Sequence, residues 1–195
     1  MAAVANRRCQ SCRAPLPQEA STGRPRAYCN ATCRKNAHRI RERKRREQLS
    51  NRDNWWTPGD LREEILRRWD VTLDAAACNA SRLVPEYLGP DHPSKARRDA
   101  LECSWSTYAG DGTVYLNPPY RPALLKPFLA QAVKTARRGT PVVGLIPAST
   151  DTLWWREYVT TPRADVEFLV GRLRFGGPHA TGGPATFGSA LVVWS

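Results

Sequence analysis

The octapeptide TVYLNPPY, residues 113–120, predicts both a β-strand and a site at its end. Its first half, residues 113–116, is β-branched, aromatic and aliphatic, which is the composition of a buried strand. Its second half, residues 117–120, is a rigid turn, because each of the two prolines has a fixed φ. Ligands of open α/β sheets bind at the carboxyl ends of strands, so this turn is expected to line a ligand site.

The turn at residues 117–120 carries the groups needed to hold a planar base with an exocyclic amine. The side-chain oxygen of Asn117 and the carbonyl oxygen of Pro118 can each accept one N–H of that amine. The ring of Tyr120 can stack on the base. Methylation of an amino group on a nucleobase requires such a holder. The candidate catalytic residues are therefore Asn117, Pro118, Pro119 and Tyr120.

Further predicted strands and helices lie on both sides of this octapeptide. One helix is expected to begin with Thr57 as its N-cap and Pro58 in its first position. The other expected helices cover residues 123–138 and 151–158, and the other expected strands cover residues 71–73, 142–146, 166–170 and 190–194. Strands separated by helices indicate a doubly wound α/β sheet, which is the predicted fold class.

The positive charge of the chain is concentrated near its N-terminus. The net charge is +12; residues 1–50 carry 13 Lys and Arg against 3 Asp and Glu, whereas residues 51–195 carry 17 against 15. A local excess of this kind indicates an arm that binds a polyanion, and not a generally basic fold. Neither a membrane span nor a signal peptide is predicted, so the chain is expected to be cytoplasmic, with reduced cysteines.

Four of the six cysteines have the spacing of metal ligands. They are Cys9, Cys12, Cys29 and Cys33, in a Cys-x2-Cys pair and a Cys-x3-Cys pair separated by 16 residues. Two close pairs joined by a loop suit tetrahedral zinc, so a structural zinc site is predicted. Two alternatives are a disordered, thiol-rich tail and a site in which His38 replaces one cysteine. Cys78 and Cys103 are expected to be small buried apolar residues.

A strongly basic helix is predicted directly after the cysteines, over residues 34–47, which contain neither proline nor glycine. Its eight cations are expected to contact the phosphates of a nucleic acid: Arg34, Lys35, Arg39, Arg41, Arg43, Lys44, Arg45 and Arg46. The alternative is a solvated spacer helix. With residues 49–54 as a polar linker, the predicted domains are residues 1–50, a zinc module with its basic helix, and residues 51–195.

The second domain contains six short landmarks whose order resembles that of a known enzyme family. They are Trp56-Thr57-Pro58, Leu73-Asp74-Ala75-Ala76, Asn117-Pro118-Pro119-Tyr120, Leu145-Ile146-Pro147-Ala148, Trp154-Trp155 and Gly171-Arg172-Leu173-Arg174-Phe175. Residues 55–195 resemble the phage-type DNA adenine-N6 methyltransferases, which are Rossmann-like methyltransferases that depend on S-adenosylmethionine. Residues 1–46 resemble a treble-clef-like zinc finger of small bacterial and phage proteins, through the run Tyr28-Cys29-Asn30-Ala31-Thr32-Cys33-Arg34.

The resemblance implies an enzyme that transfers a methyl group from S-adenosylmethionine to adenine N6 of double-stranded DNA. Asn117 and the Pro118 carbonyl would orient the N6 amine, and Tyr120 would stack on a base flipped out of the duplex. The cofactor site would be lined by Thr57, Pro58, Asp74, Ala75 and Ala76. A bacterial cytoplasm, with association to the nucleoid through DNA, is the location that this reading implies.

The cofactor half of the site departs from the pattern of many methyltransferases. No Gly-x-Gly follows Asp74, where small alanines stand instead. The contacts to the ribose and adenine of the cofactor are therefore unassigned, with Asp99 as a candidate. Asp74 itself has the alternative role of a helix or turn cap.

Other side chains have both a structural and a functional interpretation. Four tryptophans could stack on ligands or belong to the core: Trp55, Trp56, Trp154 and Trp155. Arg172 and Arg174 are expected on one face of a strand, where they would contact phosphate or simply be exposed. The alternative functions are an RNA adenine or protein glutamine methyltransferase and a DNA-binding protein without activity. Recognition sequence and oligomeric state are not predicted.

Overall fold

In the computed structural model, the described residues are 7–16, 26–50, 55–178, 180 and 182–195, with residues 43–50 described through their backbone only. The chain divides into two compact units, Met1–Gln48 and Leu49–Ser195. The smaller unit holds the four spaced cysteines and the larger unit holds the β-sheet. Across these described segments, no helix combines the length and the apolar character needed to cross a membrane.

The described part of the smaller unit contains a tight turn near the first cysteines and most of a long helix, α1 (Ala31–Ser50). Arg8 and Pro15 form an antiparallel bridge that closes the turn, and Arg13 has a positive φ of 65° within it. The side-chain oxygen of Asn30 accepts from the Cys33 N–H (2.7 Å) and so caps α1. The predicted basic helix is confirmed. It extends two residues into the predicted linker, whose remaining residues, 51–54, lie outside the described part.

The larger unit contains a five-stranded sheet and helices of very different lengths. The strands are β1 (Val71–Asp74), β2 (Thr113–Leu116), β3 (Val142–Pro147), β4 (Asp165–Phe168) and β5 (Ser189–Trp194). The α-helices are α2 (Gly59–Arg68), α3 (Trp105–Ala109), α4 (Pro122–Ala136) and α5 (Leu153–Trp155). Two 3-10 turns, Lys95–Arg97 and Ala100–Glu102, and a π-helical turn, Arg156–Thr160, complete the elements.

The sheet is mixed, with the strand order β1-β2-β3-β5-β4. β1, β2 and β3 are parallel, whereas β5 runs antiparallel to both β3 and β4. The α/β class is confirmed, and so are five of the six expected strands, each of which lies within two residues of its expected bounds. Because β1, β2 and β3 are parallel, their carboxyl ends meet at one edge of the sheet, where the octapeptide places residues 117–120.

Both faces of the sheet are covered. Val114 and Leu116 of β2 face a core that contains the buried side of α4, while Tyr115 between them faces a second core that contains Leu61 and Ile65 of α2. All four residues of β2 are buried. This burial on both faces explains why the sequence of the strand is continuously apolar and not alternating.

The start of α2 differs from the prediction. The helix begins at Gly59, Pro58 occupies the cap position, and no side chain caps the first turn. Thr57 was expected to be the N-cap, but its hydroxyl instead forms a 2.7 Å hydrogen bond with the hydroxyl of Tyr115. A tertiary partner 58 residues away in sequence has therefore replaced the local cap.

Two other predicted elements also differ. The expected helix at residues 151–158 begins as α5 and continues as a π-helical turn. The expected strand around Arg172 and Arg174 is wrong, because neither residue belongs to a strand and both side chains are exposed. The alternation that suggested a strand is real, since Leu173 packs against a core and Phe175 is buried. A segment outside the sheet thus has the same alternation of exposed and buried side chains as a strand.

Gly89 allows two parts of the loop after β1 to pack closely on each other. A Cβ at Gly89 would overlap the carbonyl oxygen of Ala77. We expect Gly89→Ala to destabilise the larger unit by about 3 kcal/mol, because backbone must move to relieve the overlap. Urea unfolding followed by tryptophan fluorescence measures this, since all seven tryptophans lie in residues 55–194.

Gly59→Ala is the matched control, because nothing lies within 4 Å of the Cβ that it adds. It should leave the free energy of unfolding within about 1 kcal/mol of wild type. Equal effects of the two substitutions would contradict the close-packing account.

Candidate functional site

The catalytic and cofactor-binding residues predicted from sequence are brought together at the carboxyl ends of β1 and β2. Asp74 pairs with Tyr115 in the register of the two strands, and the Ala75 N–H donates to the Tyr115 carbonyl (2.9 Å). The segment before α2 reaches the same place, because the side chain of Asn117 bonds to the carbonyl of Trp55. Three separate stretches of sequence therefore form one site.

The carboxamide of Asn117 is fixed by hydrogen bonds at both of its ends. Its Nδ2 donates to the carbonyl oxygen of Trp55 (2.7 Å) and to Oγ1 of Thr57 (3.3 Å). Its Oδ1 accepts from the hydroxyl of Tyr120 (2.8 Å). Both N–H groups of the amide thus have acceptors, while Oδ1 keeps one further lone pair. The half-buried side chain presents an acceptor at the end of β2.

Tyr120 is held in an aromatic cluster. Phe175 and Phe187 meet its ring edge-on, with centroids 5.9 Å and 5.5 Å away. Its hydroxyl also lies 3.2 Å from the carbonyl oxygen of Leu145. Burial raises the pKa of Tyr120 well above its ordinary value, so the phenol stays neutral. Pro118 and Pro119, the other predicted catalytic residues, form the middle of the turn and are both buried.

Phe187 was missed in the sequence, and Phe175 entered only through a landmark. The ring contacts that define their role join segments more than 50 residues apart in the chain, so no local pattern predicts these contacts. An aromatic residue that follows a Gly/Pro-rich stretch was the one available hint at Phe187.

Asp74 caps the loop that follows β1. Its side chain is 2% exposed, and its two oxygens accept from the N–H groups of Ala76 (3.3 Å) and Leu83 (3.0 Å). Burial raises the pKa of Asp74 to about 6, although the two N–H groups and the charge of Arg62 act in the opposite direction. These contacts show Asp74 as a turn cap, which was the alternative role predicted from the sequence.

The raised pKa of Asp74 predicts a pH dependence of stability. Between about pH 4 and pH 6 the native state binds this proton more tightly than the unfolded chain, so stability falls as the pH rises through that window. The contribution lost by pH 7 is about 2–3 kcal/mol. Urea midpoints from tryptophan fluorescence at pH 4, 5, 6 and 7 should show a shallower fall in Asp74→Asn. Parallel curves for the two proteins would contradict the assignment.

The remaining predicted cofactor residues surround this cap. Ala75 is fully buried and Ala76 is half-buried, so of the two it is Ala76 that reaches the surface. Thr57 and Pro58 are half-buried beside Asn117 and at the start of α2. Asp99 caps the 3-10 turn Ala100–Glu102, where its Oδ1 accepts from the Leu101 N–H (3.2 Å).

The sequence of the larger unit matches a described family. Residues 44–191 match the model of the DNA N-6-adenine-methyltransferase (Dam) family. The chain belongs to this family. The match covers more than half of the chain, and it includes every candidate catalytic and cofactor residue but none of the four spaced cysteines. Among curated proteins, no relative matches the chain.

Membership of the Dam family confirms the resemblance seen at residues 55–195 and identifies the chain as a methyltransferase. Several tryptophans and cysteines of this Dam-family unit are structural. Trp154 and Trp155 are buried in the core beside α4, and Cys103 is also buried there. Cys78 is half-buried, with its thiol bonded to Ser81 (3.3 Å), so the expectation of full burial is wrong for that residue.

The four spaced cysteines of this Dam-family chain form a cluster that can hold a metal ion. The Sγ atoms of Cys9, Cys12, Cys29 and Cys33 all lie within 4.8 Å of one another. Tetrahedral zinc with Zn–S bonds of about 2.3 Å requires sulfurs about 3.8 Å apart. The neighbouring pairs Cys12–Cys29 (3.6 Å) and Cys29–Cys33 (3.4 Å) are close to that value. His38 is exposed and outside the cluster.

The electrostatics of the cluster also suit a cation. Backbone N–H groups, first that of Cys12, lower the pKa of Cys9 to about 6. The neighbouring thiols, first that of Cys33, raise the pKa of Cys29 to about 12. Four thiolates at this spacing repel one another, so a bound cation would stabilise the deprotonated set.

The described cations of the basic helix α1 are all exposed, and Arg41 also contacts Tyr28. Arg34, Lys35 and Arg39 have exposed side chains. Arg41 donates to the hydroxyl of Tyr28 (3.0 Å), and its guanidinium lies 6.0 Å from the centre of that ring. Arg41 therefore holds the helix against the segment that carries Cys29, as well as adding charge. The side chains of Arg43, Lys44, Arg45 and Arg46 lie outside the described part of the chain.

Proposed function

We propose that this chain transfers a methyl group from S-adenosylmethionine to N6 of an adenine flipped out of double-stranded DNA. The observation that carries the proposal is the fixed carboxamide of Asn117, in a chain of the DNA N-6-adenine-methyltransferase family. Its two N–H groups bond to Trp55 and Thr57, so its oxygen is the end that remains for a ligand. This oxygen, at the end of β2, can accept a hydrogen bond from the amine of a substrate base.

Asn117 and Pro118 would position the amine for transfer. Asn117 Oδ1 has a free lone pair beside the bond from Tyr120, and the Pro118 carbonyl supplies a second acceptor. Two accepted N–H bonds favour a pyramidal nitrogen, with its lone pair directed at the methyl donor. The ring of Tyr120 would stack on the flipped base. Positioning of this kind accounts for much of the rate of such transfers.

The methyl donor would lie beside the loop after β1. When bound, S-adenosylmethionine supplies a methyl group already activated by its sulfonium. Two observations fit it: small residues, Ala75 and Ala76, form this loop, and in the segment before α2, next to Thr57, the buried Nε1 of Trp56 has no hydrogen-bond partner among the described residues. Because both oxygens of Asp74 already accept backbone N–H groups, Asp74 would act by holding this loop. Pro58, in the cap position of α2, would close over the donor.

A Rossmann-like methyltransferase fold is part of the same proposal. Its support is the parallel set β1, β2 and β3, covered by helices on both faces, with the antiparallel β5 inserted between β3 and β4. Ligands of such sheets bind at the carboxyl ends of the parallel strands, where Asn117 and Asp74 lie.

The smaller unit would bind the DNA. Zinc held by the four cysteines would define the module, and the exposed cations of α1 would contact phosphates. The larger unit, Leu49–Ser195, has the size of one ordinary domain and leaves little room for a separate target-recognition domain. The zinc module would take that place.

Transfer of a tritiated methyl group tests the function. The full chain, with labelled S-adenosylmethionine, is given unmethylated duplex DNA, single-stranded DNA, RNA or protein. We expect label in duplex DNA. Label in RNA or protein alone would favour the corresponding alternative methyltransferase, and no label in any substrate would favour a DNA-binding protein without activity.

The basic helix is expected to contribute to salt-dependent DNA affinity. The change replaces three exposed cations with alanine: Arg34, Lys35 and Arg39. Each phosphate that the helix no longer neutralises reduces the slope of log K against log salt by about 0.9, so a slope shallower by about one to three units is expected. Fluorescence anisotropy with labelled duplex between low and moderate salt measures the slope, and cofactor affinity should not change.

A matched control replaces three exposed cations of the larger unit, Lys134, Arg137 and Arg138, which lie at the end of α4 and just after it. This control keeps the overall change in charge the same but removes it from the helix. A slope that falls equally in both variants would show that net charge, and not α1, determines the affinity.

A further inference from the structure

Asn117 can work only if its carboxamide has the correct one of two orientations. The oxygen and nitrogen ends of an amide have nearly the same shape, but only the oxygen accepts a hydrogen bond. If the group were reversed, its NH2 would point to the substrate amine, and donor would face donor. An asparagine in this position therefore needs neighbours that distinguish its two ends.

We infer that Thr57, supported by Tyr115, is a positioning residue that fixes the Asn117 carboxamide with its oxygen available to the substrate amine. The inference rests on the proposed function and assigns Thr57 a role in orienting Asn117 in place of a contact to the cofactor. Thr57 lies before α2 and Tyr115 lies in β2, so the two residues join separate segments.

The bonds of Asn117 favour one orientation strongly. Nδ2 donates to Trp55 O (2.7 Å) and to Thr57 Oγ1 (3.3 Å). Reversal would bring Oδ1 to the Trp55 carbonyl, and two acceptors would then face each other at hydrogen-bond distance. The Trp55 carbonyl excludes the wrong orientation, while Thr57 accepts the second N–H and prevents the amide from rotating out of plane.

The hydroxyl of Thr57 is already committed to the protein. It has one proton and two lone pairs. An N–H of Asn117 uses one lone pair. The Tyr115 hydroxyl, 2.7 Å away, uses either the proton or the other lone pair. Tyr115 is 0% exposed, and burial raises its pKa far above the ordinary value, so it remains a neutral phenol that can hold Thr57 at any working pH. A fixed Thr57 in turn fixes Asn117.

Three substitutions in the full-length chain test the inference: Thr57→Val, Thr57→Ser and Tyr115→Phe. Thr57→Val keeps the shape of the side chain and removes its hydroxyl, whereas Thr57→Ser keeps the hydroxyl. We expect Thr57→Val to lower kcat about tenfold, with the KM for DNA and the Kd for S-adenosylmethionine within about twofold of wild type. Thr57→Ser should restore most of kcat, and Tyr115→Phe should lower it about threefold in the same pattern.

A spectroscopic measurement separates this inference from the proposed function, because it needs neither substrate nor activity. The side-chain NH2 of Asn117 is observed by 15N–1H NMR, and both of its protons should exchange slowly in the wild-type protein. Thr57→Val should speed the exchange of one proton about tenfold, and Thr57→Ser should not.

The outcomes are distinct. Thr57→Val with unchanged kcat and unchanged NH2 exchange would overturn the inference. A raised Kd for S-adenosylmethionine at unchanged kcat would also overturn it, because the Thr57 hydroxyl would then contact the cofactor. A wild-type protein that methylates nothing would overturn the proposed function, while the NMR result would still decide the role of Thr57. If Thr57→Val does not fold by tryptophan fluorescence, Tyr115→Phe decides by the same measurements.

Discussion

Replacing Asn117 with alanine is expected to lower the rate of methyl transfer to DNA at least about a hundredfold. The substitution removes the acceptor for the substrate amine and also the bond that holds the hydroxyl of Tyr120 (2.8 Å). Because positioning is the main contribution of this site, its loss should appear in kcat more than in KM. Single-turnover transfer of a labelled methyl group, with enzyme in excess over duplex DNA, measures the effect.

Gln131→Ala is a matched control for this substitution. Gln131 is also a half-buried amide that donates to a backbone carbonyl, that of Cys103 (3.3 Å), but it lies on α4, and no hydrogen bond described for it reaches Asn117. Its replacement should change the rate less than about twofold, since losing one hydrogen bond costs about 1 kcal/mol of stability only. Transfer that continues at the wild-type rate in Asn117→Ala would contradict the proposed catalytic role.

Removal of the proposed zinc ion is expected to unfold the smaller unit while the larger unit stays folded. Among the described residues of the smaller unit, only Cys9 and Cys33 are buried, so this described part has no apolar core that could take the place of a metal. Structural zinc contributes about 10–16 kcal/mol in small modules of this kind. Cys29→Ala should therefore lose bound zinc and most of the DNA affinity, without changing the urea midpoint from tryptophan fluorescence.

Metal analysis of the purified protein and its far-UV circular dichroism after chelation measure this effect. Cys78→Ala is the control, because Cys78 lies outside the four-cysteine cluster and should keep one zinc per chain. A wild-type protein without zinc, whose circular dichroism and DNA affinity do not respond to a chelator, would contradict the zinc assignment.

The parts of the fold that depend on local patterns could be predicted from the sequence. The continuous apolar composition of β2 and β3 follows from their burial on both faces, and it was visible without any tertiary information. The spacing of the cysteines likewise predicted that four thiols meet. A Cys-x2-Cys turn brings two sulfurs close together, and so does a Cys-x3-Cys pair at the start of a helix.

The parts that depend on contacts between distant segments could not. Thr57 has the sequence context of a helix cap, but a buried phenol on β2 binds its hydroxyl more favourably than the local N–H groups do. The contact between Arg41 and Tyr28 joins residues 13 positions apart, so no local pattern could predict it. The position of β5 between β3 and β4 also depends on which strands the last segment of the chain pairs with, and composition does not encode this pairing.

The methylated nucleoside itself gives the most direct test of adenine N6 as the target. Unmethylated duplex DNA is incubated with the full chain and S-adenosylmethionine that carries a deuterated methyl group, then digested and analysed by mass spectrometry. We predict a deuterated N6-methyl-2′-deoxyadenosine that is at least about a hundredfold less abundant with Asn117→Ala. Deuterated methyl on cytosine, or DNA without any label, would contradict the proposed function.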